Sequence, residues 1–118
     1  VYPIVGPGFE SIQNIGDKNH NIVHLKHSKG IDINIANIND MLGGFGLISL
    51  MGTKSGIQIK STDTYYAFKK QLQSYVNYLQ TGHKPVPWNE TYELMQLVSA
   101  GIESREKDGM KITLKKDK

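Results

Sequence analysis

The closing third of the chain, from Ser61 to Leu114, constrains everything that precedes it. Phe68, Leu72, Tyr75, Val76 and Leu79 recur at helical spacing, which predicts an amphipathic helix from about Asp63 to Thr81. Thr62 or Asp63 can cap its start, and Gly82 can take the left-handed conformation just past its end. Pro85 and Pro87 forbid continuation, because proline lacks an amide proton and restricts the residue before it. A second helix is expected from about Asn89 to Lys107, capped by Asn89. Glu90 and Glu93 fall in its first turn and Arg105 and Lys107 in its last, the charge order a helix dipole favours. Gly109 closes it, and Met110 to Leu114 alternates as a strand does. Two helices and a strand cannot bury their apolar faces unaided, so the earlier residues must supply a sheet.

They carry strand patterns. Residues 1–8 hold Pro3, Gly6, Pro7 and Gly8 and read as an opening loop or short edge strand. Phe9 to Ile15 alternates loosely, and Gly16 to Asn19 is rich in turn residues. Asn21 to His27 and Ile31 to Ile35 alternate on either side of Ser28-Lys29-Gly30, which predicts a hairpin. Ile31, Ile33 and Ile35 are expected beneath the helices, with His24, Lys26, Asp32 and Asn34 facing outward. Asn37 to Gly46 reads as a loop. Leu47 to Met51 and Ile57 to Lys60, joined by Gly52 to Gly56, form a second hairpin. Strands grouped before helices predict an α+β fold: a mostly antiparallel open sheet with two helices packed on one face.

At 118 residues the chain is expected to form a single domain, 1–118. A mean hydropathy of −0.40 fits a soluble chain, and no apolar run approaches the roughly 20 residues of a membrane span. With no cysteine and no charged-then-apolar leader, a reducing, cytoplasmic setting is expected. A start at Val1 suggests a piece of a longer protein. The net charge of +3 is mild and its basic residues are scattered, three of fourteen of them in the tail Lys115 to Lys118, which argues against a nucleic-acid partner.

Each apparent motif has a plainer reading. His20 and His24, four apart on a strand, share a face, whereas His27 points away unless a bulge intervenes. No carboxylate completes them at close spacing, so they read as half-exposed strand histidines and no metal site is expected. Gly43-Gly44-Phe45-Gly46 and Gly52 to Gly56 precede strands, not helix N-termini, so neither forms a phosphate loop. Tyr65, Tyr66, Tyr75 and Tyr78 read as the boundary of a core, each ring buried and each hydroxyl wet. Trp88 is expected to pack over the Pro85–Pro87 connection. His83, Lys84 and Trp88 are the candidates to meet a substrate or partner; no catalytic or cofactor-binding residue can be placed.

A longer pattern adds to this reading. Phe68, Leu72, Tyr75, Leu79-Gln80-Thr81-Gly82-His83-Lys84-Pro85-Val86-Pro87, Glu90-Thr91-Tyr92-Glu93-Leu94, Ala100-Gly101-Ile102-Glu103-Ser104-Arg105, Gly109 and Ile112-Thr113-Leu114 follow one another in this order. Residues 47–114 thereby resemble the C-terminal domain of Gfo/Idh/MocA-type oxidoreductases, the glucose–fructose oxidoreductase-like enzymes. The resemblance implies a parent with an N-terminal Rossmann domain for NAD or NADP. This part would then form a wall of the cleft for a sugar or polyol-like substrate and associate with further copies through its open sheet face. The dinucleotide-binding glycine fingerprint, the Glu-Lys-Pro segment and the Asp-x-x-x-His helix of such enzymes are not in this sequence. The fragment is therefore expected to bind no cofactor and to be inactive alone. The alternative is a stand-alone α+β binding or dimerisation module without redox activity.

Overall fold

The structure, a computed structural model, describes residues 2–39, 46–60 and 63–114. In chain order its elements are α1 (Tyr2–Val5), β1 (Phe9–Asn14), β2 (His20–His27), β3 (Asp32–Ile38), β4 (Leu47–Met51), β5 (Gly56–Lys60), α2 (Thr64–Thr81), α3 (Trp88–Glu106) and β6 (Ile112–Thr113). The class is α+β with antiparallel pairing throughout. The chain divides into two compact units, one built from Tyr2–Asp40 and Trp88–Lys118, the other from Met41–Pro87.

The first unit is a four-stranded sheet in the order β3-β2-β1-β6, with α3 packed on it. Phe9, Ile12, Leu25 and Ile33 of the sheet meet Leu97 and Ala100 of α3, with Val5 and Leu114 closing the ends of this core. Helix and strand approach closely because Gly101 has no side chain: a Cβ there would stand 3.1 Å from Ile12 Cδ1. The pairing of β1 with β2 slips between Phe9 and Ser11, a bulge that accommodates Glu10 and keeps Phe9 beside His27. At the β1–β2 turn, a side chain on Gly16 would overlap the His20 carbonyl, so only glycine closes it. After α3, Asp108 and Gly109 both take positive φ, and the Gly109 amide donates to the Ser104 carbonyl (2.8 Å), reversing the chain into β6.

The second unit holds the β4–β5 hairpin, a separate two-stranded sheet, and α2. Asp63 caps α2, its carboxylate accepting from the Tyr66 amide (2.7 Å). Gly82, at φ 73°, ends it with a bond to the Tyr78 carbonyl (2.8 Å). Both hairpins and both long helices stand where periodicity places them. Thr62, the other cap considered, and residues 43–45 of the glycine loop lie outside the described residues.

Several expectations change. The four-stranded sheet has one long helix of its own unit, α3, where two helices on one face were expected. The narrow buried line Leu97, Ala100, Gly101 and Ser104 lets α3 seat on β1, whereas α2 buries none of its side chains. The second hairpin forms its own sheet rather than extending the first. Residues 2–5 form a helical turn, closed by the Gly6 amide on the Tyr2 carbonyl (2.8 Å), because proline fits the first turn of a helix. α3 begins at Trp88, which places Asn89 inside the helix and not at its cap. Of the three isoleucines, Ile33 alone is buried; Ile31 precedes β3 and Ile35 lies towards its exposed end. His24, Lys26, Asp32 and Asn34 do face outward.

Candidate functional site

Three places in the molecule gather chemistry. The first is where α1 and the start of β1 meet α3. Glu93 accepts from the Tyr2 hydroxyl (2.7 Å) and from the amides of Gly8 (2.8 Å) and Phe9 (2.7 Å). Burial works to raise its carboxyl, but these three hydrogen bonds, with His27 nearby, outweigh it and hold the group below its ordinary value. The same burial, then the Glu93 hydrogen bond and charge, push the Tyr2 phenol well above its usual range. His27 is 2% exposed, edge-on to the Phe9 ring, and both its nitrogens are engaged. Nδ1 accepts from the Lys29 amide (3.1 Å), which leaves Nε2 as the donor to the Pro7 carbonyl (3.0 Å). The half-exposed reading of His27 is thus corrected, since the β1 bulge brings Phe9 over it. Tyrosine, glutamate and histidine in one cluster resemble an acid–base set. Here their polar atoms are committed to one another and to backbone groups, and the arrangement fixes the N-terminal turn.

The second place is the outward face of β2 and β3. Asp32 pairs with Lys26 (2.9 Å) and His24 Nε2 (3.3 Å), and His24 Nδ1 lies 2.8 Å from Asn34 Oδ1. The Lys26 hydrogen bond holds the Asp32 carboxyl below its ordinary value against a small opposing effect of desolvation. His20 stays near the turn, 3.4 Å from Asp17, whose carboxylate also accepts from the amides of Asn19 and His20. His20 and His24 thus take separate carboxylate partners. Among the described residues, no three His, Asp or Glu side chains are grouped to hold a metal ion. Around Asp32 the polar groups of this face satisfy one another, while Ile22, 45% exposed and paired with Ala36, continues it as apolar surface.

The third place is α2. Tyr65, Phe68, Leu72 and Val76, flanked by Lys69, Gln73, Asn77 and Gln80, line an open apolar groove along the helix. Tyr65, Tyr66 and Tyr75 are each more than half exposed, so the expectation of buried rings does not hold; Tyr78 is partly buried. The stripe was legible in the sequence, but not that it stands uncovered.

The residues expected to meet a ligand are spread over both units. His83 and Lys84 follow α2, and His83 turns back on Thr81, its amide on Oγ1 (3.2 Å) and its Nδ1 3.3 Å from the carbonyl. Trp88 opens α3 in the other unit and is 70% exposed. Nothing local in the sequence marks Glu93 or Ser104 as an organising residue: Glu93 suits a helix start by charge, and its partners lie 84 to 91 residues away. Among the described residues, no helix is long and apolar enough to cross a membrane. The chain matches no protein-family model, no curated protein and no solved structure.

Proposed function

We propose that this chain is a binding and assembly module whose work is contact rather than chemistry, and that its working surface is the apolar face of α2. One observation carries the reading: an 18-residue helix with a full apolar stripe buries none of its side chains. Contiguous apolar surface of that extent marks a place where another molecule sits. The side chains suited to acid–base work, by contrast, are engaged with the backbone and with one another.

The resemblance to the Gfo/Idh/MocA enzymes is compatible with this reading. In that setting the chain would supply subunit contacts and a wall of the substrate cleft, and NAD or NADP would bind a Rossmann domain outside it. His83, Lys84 and Trp88 would be its substrate-facing residues.

A substitution pair separates a working surface from a core. Phe68→Gln with Leu72→Gln keeps good helix formers, so it changes little beyond the apolar face. At sub-micromolar concentration the double variant is expected to unfold within about 1 kcal/mol of the parent, as exposed substitutions do. A loss of several kcal/mol, as buried positions give, would place the face in a core and remove the proposed surface. Calorimetry with NADH and NADPH is expected to give no binding heat for either protein.

A further inference from the structure

We propose that the occupant of α2 is a second copy of this chain, the two helices pairing antiparallel about a two-fold axis through Leu72. The inference rests on the binding-module reading and names its partner. Tyr65, Phe68, Leu72, Tyr75 and Leu79 follow one another in steps of three, four, three and four. That is the seam spacing of paired helices, and Val76, 49% exposed, widens the apolar face on one side of it. Outward from Leu72 the seam steps by four and three towards Tyr65 and by three and four towards Leu79. Reversed against itself, it sets Tyr65 against Leu79 and Leu72 against its own copy, with Phe68 and Tyr75 one residue out of register, an isologous contact.

Charge selects the partner and its direction. α2 carries Lys69 and Lys70 and no acidic residue, and both lysines lie in its N-terminal half. A parallel pair would gather four ammonium groups and two positive helix ends at one place. An antiparallel pair sends them to opposite ends and opposes the two dipoles. Gln73, Asn77 and Gln80 beside the seam are neutral amides, which select no charged peptide and do not repel their own copy.

The area is sufficient. The five seam residues are between 48% and 77% exposed. With large side chains near 200 Å² each, covering them removes about 600 Å² from each helix. A pair would bury about 1,200 Å², the lower bound for a specific interface.

Sedimentation equilibrium between about 1 and 100 µM tests the proposal across the affinity range such an interface gives. The mass is expected to rise from 13.2 kDa towards twice that value, and Leu72→Lys to remain at 13.2 kDa with unchanged helix content. The chain has no cysteine, so an introduced thiol reports only its own neighbours. Leu72→Cys is expected to cross-link to itself. Tyr65→Cys is expected to cross-link only when mixed with Leu79→Cys. A monomer at every concentration, a dimer that survives Leu72→Lys, or self-linking of Tyr65→Cys would each overturn the antiparallel pair. A monomer whose Phe68→Gln, Leu72→Gln variant keeps its stability defeats self-pairing alone. A large stability loss in that variant defeats the binding-module reading itself.

Discussion

Replacing Glu93 with alanine is expected to destabilise the first unit by about 3–5 kcal/mol, the cost of leaving partly buried partners of a charged group unpaired. One carboxylate accepts from the Tyr2 hydroxyl and from the amides of Gly8 and Phe9, so its removal strands three donors at once. α1 would lose its tie to α3, and Phe9 its fixed place beside His27. Urea unfolding at pH 7 measures the loss. Glu93→Gln, whose amide oxygen can still accept from the backbone, should lose about half as much. The pH dependence identifies the cause. Because folding lowers the carboxyl's pKa from its ordinary 4.5, its contribution is fully present above that value. It is lost as pH falls through the lower, folded value. The parent should therefore lose stability on acidification below about pH 5 more steeply than Glu93→Gln, which has no proton to take up there. Equal acid slopes in the two proteins would mean that Glu93 is not held as a charged acceptor.

Ser104→Ala is expected to cost about 2–4 kcal/mol, a large effect for the loss of one oxygen. Ser104 is 0% exposed, accepts from the Asn14 amide (2.9 Å) and donates to the Met110 carbonyl (2.6 Å). It thereby joins the end of β1, the last turn of α3 and the segment leading into β6. The Asn14 side chain extends the network to Asn21 (3.0 Å), and Arg105 reaches the same Asn21 oxygen (3.2 Å). Alanine leaves the buried Asn14 amide without its acceptor and the Met110 carbonyl without its Ser104 donor. The Asn14 amide should then exchange with solvent faster, by the factor corresponding to the lost stability. A loss below 1 kcal/mol, with Asn14 as protected as in the parent, would show that water replaces the hydroxyl and that the knot is dispensable.

Local structure was readable from the residues because its causes are local. Asp63 and Gly82 bound α2 through bonds spanning only three or four residues. The β2–β3 hairpin follows from alternation on both sides of Ser28-Lys29-Gly30, with Gly30 at φ 75°. What escaped the sequence depends on distant partners. The bulge at Glu10 breaks the period of two and brings Phe9 over His27, and nothing near His27 in sequence signals its burial. Glu93 reaches back to residues 2, 8 and 9. An amphipathic stripe says that a face seeks cover without saying what provides it. The sequence does not show that α2 and the four-stranded sheet belong to separate compact units.

Amide hydrogen exchange on the dilute chain, resolved by segment, tests this account most directly. β1, β2 and α3 should exchange slowest, since they enclose the core and its two polar knots. α2, an 18-residue helix held by its caps and its own backbone bonds, should exchange orders of magnitude faster, because helices of that length are marginal in water without packing. Its protection should rise once a partner covers the stripe. If α2 in the dilute chain were as protected as α3, its apolar face would be part of a core, and the central claim that it is a contact surface would be wrong.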